Sequence, residues 1–200
     1  MQIGGKTFDT GHRTYIMGIL NVTPDSFSDG GRFQDLDAAL RHGEEMLQDG
    51  ADLLDVGGES TRPGHVRITE EEEIRRVVPV IRRLKQEFDV PVSVDTYKSQ
   101  VARAALEAGA DLVNDVWGLK YDPDMGRLIA EYGVPCCLMH NREKAEYRAF
   151  LPEVLEDLQE SVHLAKAAGI REEQIILDPG IGFGKTYEMN LEMLKNLGEL

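Results

Sequence analysis

Short apolar runs alternate with stretches of helical periodicity along the whole chain. The runs begin at Tyr15, Leu53, Val92, Leu112, Val134 and Ile175, and each is only a few residues long, as a buried strand is. Between them, apolar residues recur at helical spacing. Leu36, Ala39, Leu40, Gly43, Met46 and Leu47 form one such face. Ile74, Val77, Val78, Ile81, Leu84 and Phe88 form the next, followed by the small-residue stripe Val101, Ala104, Ala105 and Ala108. Leu128, Ile129 and Tyr132 mark a short helix, and Val154, Leu155, Leu158, Val162, Ala165 and Ala168 a longer one. Gly50, Gly109, Gly133 and Gly169 stand where these helices should end, a position at which a left-handed cap favours glycine. Strand, loop, helix and glycine cap thus repeat about six times, the signature of consecutive right-handed βαβ units in a parallel sheet. No linker or change of composition interrupts the repeat, so residues 1–200 read as a single domain.

Every run ends in polar side chains. The first opens into Asn21, Thr23, Asp25, Ser26, Ser28 and Asp29, with Gly30 and Gly31 behind them. The second opens into a Gly-rich loop carrying Arg62, the third ends in Asp95, and the fourth in Asn114 and Asp115. The fifth ends in His140, Asn141 and Arg142, and the sixth in Asp178 ahead of another Gly-rich loop. One polar strand end is an ordinary surface turn, but six in succession imply convergence on one pocket. A parallel sheet of this kind is either doubly wound or a (β/α)₈ TIM barrel. No G-x-G-x-x-G follows the first strand, and functional residues at every strand end favour the barrel over a single switch point. A barrel needs eight strands and typically about 250 residues. The chain supplies about six βα units, so it is either the first part of such an α/β barrel or an open sheet.

Charge narrows the partners. The net charge of −14 disfavours nucleic acid and anionic membranes. No apolar run approaches the roughly 20 residues of a membrane span, and the start of the chain carries no signal-peptide pattern. Cys136 and Cys137 are adjacent in an apolar run, so their side chains should point to opposite faces, as two reduced, buried thiols of a cytoplasmic protein. They match neither zinc spacing nor a redox motif.

The strand ends carry the chemistry. Asp95, Asn114 and Asp178 would put two carboxylates and one carboxamide at the mouth of the core. Carboxylates only accept hydrogen bonds, whereas a carboxamide donates and accepts. Together they suit a flat heterocycle with adjacent N–H donors and a neighbouring acceptor, such as a 2-aminopyrimidinone. Helix capping is the competing explanation for each of the three.

Six motifs resemble the dihydropteroate synthase family, in order and over essentially the whole chain. They are NVTPDSFSDGG from Asn21, DVGGESTRPG from Asp55, SVDT from Ser93, NDVWG from Asn114, MHNR from Met139 and DPGIGFGKT from Asp178. The resemblance implies a (β/α)₈ barrel that joins 6-hydroxymethyl-7,8-dihydropterin pyrophosphate to p-aminobenzoate, releasing pyrophosphate with Mg²⁺. It implies that Asp95, Asn114 and Asp178 grip the pterin and that Met139 and Phe183 wall it. Asn21 would help hold Mg²⁺ and the pyrophosphate. Asp25, Phe27 and Asp29 would belong to a first loop, and Thr61, Arg62 and Pro63 to a second, both covering the p-aminobenzoate site. Asp95, Asp29 and Arg62 would serve catalysis. The family is also a homodimer whose contacts lie largely in its final helices. Its later units supply a Lys near the pterin and an Arg and a His near the pyrophosphate, and the sequence stops before them, with Lys185 no obvious substitute. Two rivals remain at this point: the pterin-binding domain of a methyltetrahydrofolate corrinoid methyltransferase, and a non-catalytic folding unit that keeps the family's sequence.

Overall fold

The computed structural model describes residues 1–22, 31–60 and 67–200, residues 31–35 by their backbone alone. A small antiparallel hairpin comes first, β1 (Gln2–Ile3) and β2 (Lys6–Thr7). Alternating elements follow: β3 (Met17–Asn21), α1 (Gly31–Gln48), β4 (Leu53–Gly57), α2 (Glu70–Glu87), β5 (Val92–Asp95) and α3 (Ser99–Glu107). Then come β6 (Leu112–Asp115), α4 (Met125–Tyr132), β7 (Cys136–Met139), α5 (Phe150–Ala168), β8 (Ile175–Asp178) and α6 (Tyr187–Lys195). All the runs read from the sequence are strands. The first starts later than its apolar residues do, because Tyr15 packs on Phe8 of the hairpin segment instead, ring centroids 4.6 Å apart.

The six strands β3 to β8 are parallel and lie side by side in chain order. A doubly wound sheet reverses its order at a switch point; this one never does, so it is an arc of a (β/α)₈ barrel. Side chains alternate between the two faces. Leu20, Leu54, Val56, Val94, Val113, Cys136 and Leu138 share the main core with Ala39 and Leu40 of α1, Val77 and Ile81 of α2 and Ile129 of α4. Leu53, Leu112 and Cys137 belong to a separate inner cluster, closed at the N-terminal end of the strands by Ile3 and Phe8. The two cysteines do face opposite ways, and both are free and buried. Gly50, Gly109, Gly133 and Gly169 all take positive φ at the helix ends, as read. The small-residue stripe is less well placed: α3 buries Val101, Ala102, Ala105 and Leu106, with Ala104 and Ala108 at the margin, because its two bulkiest apolar residues decide which side turns inward. No described helix is long and apolar enough to cross a membrane.

Burial pushes the Cys136 thiol up to about 12 and the Cys137 thiol well above its usual value. Thiolates are the reactive form, so the native protein is expected to resist alkylation at pH 8 and to take up two equivalents of reagent only in denaturant. Fast labelling of the folded protein would show that the core is open.

Candidate functional site

Alternation and register bring the polar strand ends together on the inner face, with Met139 and Asp178 one layer beyond the row of Asn21, Gly57, Asp95 and Asn114. Asn21 pairs with Gly57 and Gly57 with Asp95 in neighbouring strands. Asp95 then pairs with Asn114, and Met139 with Asp178. All stand at the C-terminal ends of their strands on the inner face, where barrels place their chemistry. Capping does not account for the three polar residues. The N-caps of α3, α4 and α6 are Lys98, Asp124 and Thr186, so Asp95, Asn114 and Asp178 are free of that duty. Asp178 does have a local role: its Oδ1 accepts the Gly180 amide at 2.7 Å, leaving the other oxygen for a ligand.

One residue of this floor was not singled out by the sequence reading. Asp55 lies on the inner face of β4, is 3% exposed, and accepts a 3.0 Å hydrogen bond from Asn114 Nδ2. A carboxylate inside the apolar run Leu53–Val56 was the available signal. Asp55 Oδ1, Ser93 Oγ and Asp95 Oδ1 are buried without a hydrogen-bond partner. Buried polar atoms are normally satisfied, and leaving one unpaired costs about 1–3 kcal/mol. Three gathered in two successive inward-facing layers, Asp55 and Ser93 below Asp95, mark a recess shaped for a polar ligand. Burial raises the Asp55 carboxyl above the usual range. It raises Asp95 much further, with the Asp55 charge adding to the effect. Asp115, the next residue after Asn114, turns out of the recess. It accepts the amides of Trp117 and Leu119, both at 2.8 Å, and burial holds its carboxyl at about 6.

The wall is apolar. Met139 and Phe183 cluster with Tyr97, Val116 and Trp117 beside the floor. Phe183 is held by Lys185, whose ammonium donates to the carbonyls of Gly180 at 2.9 Å and Phe183 at 3.0 Å. The same ammonium lies 2.8 Å from His140 Nδ1, and His140 Nε2 lies 3.1 Å from Asp157. An ammonium can only donate, so Nδ1 accepts and the ring proton sits on Nε2, aimed at Asp157. Lys185 is thus the organiser of the Phe183 turn, a role the sequence reading did not assign. Burial lowers His140 to about 4, with Lys185 adding to it, and burial lowers Lys185 to about 8. Between pH 6.5 and about 4 the unfolded chain takes up a proton on this ring that the native state refuses, so stability falls as pH drops through that window. The His140 ring resonance is expected to stay flat as pH falls through 6.5, and an ordinary titration there would contradict the assigned tautomer.

Asp25, Phe27, Asp29, Thr61, Arg62 and Pro63 lie outside the described residues. Among the described residues, no cluster of three His, Cys, Asp or Glu forms a metal site. Gly57 does leave a gap between Asn21 and Asp95: a Cβ there would lie 3.2 Å from Asn21 Oδ1 and 3.3 Å from Asp95 Oδ2. Two hard oxygen donors on one gap suit Mg²⁺ when a pyrophosphate and water complete its shell. At the opposite end of the strands a cleft of about 560 Å³ is lined by Lys6, Arg13, Tyr15, Asp52, Glu87 and Asp89. Its cations are already engaged, Arg13 with Asp52 and Lys6 with Asp89, and none of the unpartnered buried atoms lies there.

A barrel arc whose inner floor offers carboxylates and an amide to a flat ring, between a thioether and an aromatic wall, defines the class. The model of the pterin binding enzymes matches residues 17–200, and the chain belongs to that family. Within it, the chain is 61% identical to a dihydropteroate synthase of Clostridium beijerinckii over 197 residues, 98% of this chain and 73% of that protein. The dihydropteroate synthase of Clostridium difficile, solved in the presence of pteroic acid, superposes with a TM-score of 0.93 at 52% identity, covering 96% of this chain and 74% of that one. That of Xanthomonas albilineans, solved with 4-aminobenzoic acid, superposes at 0.90 and 47% identity, covering 94% and 69%.

Proposed function

We propose that the chain condenses 6-hydroxymethyl-7,8-dihydropterin pyrophosphate with p-aminobenzoate to give 7,8-dihydropteroate and pyrophosphate. The observation that carries this reading is the set of unpartnered oxygens of Asp55, Ser93 and Asp95 on the inner face, near Asn114 and Asp178. The aminopyrimidinone edge of the pterin supplies N–H donors for Asp95 and Asp178 and an acceptor for Asn114. Met139 and Phe183 sandwich the ring.

The exocyclic C–O bond breaks with its electron pair leaving on pyrophosphate, and the electron-rich ring carries the positive charge. The buried carboxylates around the ring favour that cation electrostatically. Asn21 would help to hold Mg²⁺, which would supply neutralisation of charge on the pyrophosphate. The arylamine nitrogen then bonds to the exocyclic carbon and gives up a proton. Phe27 and Asp29 on the first loop, and Thr61, Arg62 and Pro63 on the second, receive p-aminobenzoate and keep water from competing. The reading includes a single barrel domain, a homodimer and a cytoplasmic location.

The test is pyrophosphate release by the intact protein with both substrates. Release should require p-aminobenzoate and Mg²⁺ and yield dihydropteroate. Pyrophosphate release that ignores p-aminobenzoate would identify a hydrolase instead.

A further inference from the structure

Two charge clusters flank the recess. In one, Lys98 bridges Glu59 and the α2 residue Glu73 at 2.8 and 2.6 Å. The other bears directly on the wall. It starts at Asp157 of α5, which accepts from His140 Nε2 at 3.1 Å and from Arg142 Nε at 2.8 Å. His140 Nδ1 in turn accepts from Lys185, which also donates to the carbonyls of Gly180 and Phe183. The Phe183 amide donates to the same Gly180 carbonyl at 3.1 Å and closes the turn. The next carbonyl, that of Gly184, accepts the Tyr147 hydroxyl at 2.7 Å. Across the strands, the His140 amide donates to the Asp178 carbonyl at 2.9 Å. Lys185 therefore joins the residue that follows Met139 on β7 to the backbone of Phe183 beyond β8.

An ammonium has three protons, and each of these has a protein acceptor between 2.8 and 3.0 Å. None is left for a substrate. Burial makes the charge costly and lowers Lys185 to about 8. An apolar side chain would avoid that cost but would take the donor from the Phe183 carbonyl and the His140 ring nitrogen. What the ammonium supplies is a fixed separation between a thioether and an aromatic ring. A flat ligand between them gains dispersion only at contact distance, and a gap of about 0.5–1 Å forfeits a quarter to a half of it. We propose that Lys185 is a positioning residue for the pterin ring, acting through His140 and the carbonyls of Gly180 and Phe183 on the spacing between Met139 and Phe183. The inference rests on the function proposed above.

The experiment measures the calorimetric Kd for the pterin pyrophosphate in the intact protein. It also measures KM for p-aminobenzoate, at pterin concentrations that saturate each variant. Lys185→Met, which keeps the stem and loses the donors, should raise the pterin Kd by roughly tenfold or more and leave the KM within about twofold. Lys185→Arg keeps a cation with several N–H donors and should recover most of the loss. If Lys185→Met does not fold, Lys185→Gln, whose amide can still serve one carbonyl, should show the same split at smaller size. Folded variants with wild-type pterin affinity, or with equal losses for both substrates, would overturn the proposal. So would a Lys185→Arg protein that binds pterin no better than Lys185→Met. A wild type that binds no pterin pyrophosphate would overturn the functional reading and this inference with it.

Discussion

Asp178→Asn is expected to weaken pterin binding by roughly 5- to 150-fold, the equivalent of about 1–3 kcal/mol. The substitution is a narrow one. Asp178 Oδ1 accepts the Gly180 amide, and an asparagine oxygen can keep that bond and the turn with it. The second oxygen becomes an N–H₂ group facing the N–H donors of the pterin. A donor set against a donor leaves both unsatisfied once the bound ring covers them, and that is the cost. The melting temperature should therefore move little while affinity falls. Calorimetry with the pterin pyrophosphate gives the number, and wild-type affinity in the variant would remove Asp178 from the ring site.

Gly180→Ala is expected to do the reverse, damaging fold and site together. Gly180 has φ +68. A Cβ there would fall inside the van der Waals shell of the His140 carbonyl oxygen and lie 3.2 Å from Met139 Cγ. The left-handed backbone costs a non-glycine residue roughly 1–2 kcal/mol. Overpacking adds about 1–3 kcal/mol. The sum, about 2–5 kcal/mol, is a large share of the roughly 5–15 kcal/mol that holds a typical domain folded. The clash also pushes apart the two turns that carry Met139 and Phe183. Thermal melts should show a drop of many degrees, and pterin binding should be lost even below the melt. A variant that melts with the wild type would mean that the turn adjusts freely and that its geometry is not what shapes the wall.

The strand ends were legible because each apolar run is short and stops abruptly at a polar residue. Asp95, Asn114 and Asp178 could be picked out for that reason. Asp55 could not be separated from its run so easily, since it sits one layer deeper, between Leu53 and Leu54 before it and Val56 after it. Strict alternation along β4 puts it on the same face as Gly57, which is the clue that sequence alone held. Lys98, Glu59 and Glu73 were illegible for a different reason. They come from three separate elements, and nothing in their spacing shows that the fold buries them on one another. Lys185 likewise reads as one more loop cation until its carbonyl partners are seen. Sheet order was inferable from the repeat of strand and helix, but only the register showed that the order never reverses.

The central claim is that the inner floor of the arc receives the pterin ring. A crystal structure of the intact protein with 6-hydroxymethyl-7,8-dihydropterin pyrophosphate bound tests it most directly. The aminopyrimidinone edge should lie within hydrogen-bond distance of Asp95, Asn114 and Asp178, with the ring between Met139 and Phe183 and the pyrophosphate toward Asn21. A ring bound elsewhere, with water filling the gap beside Asp55 and Asp95, would contradict the account.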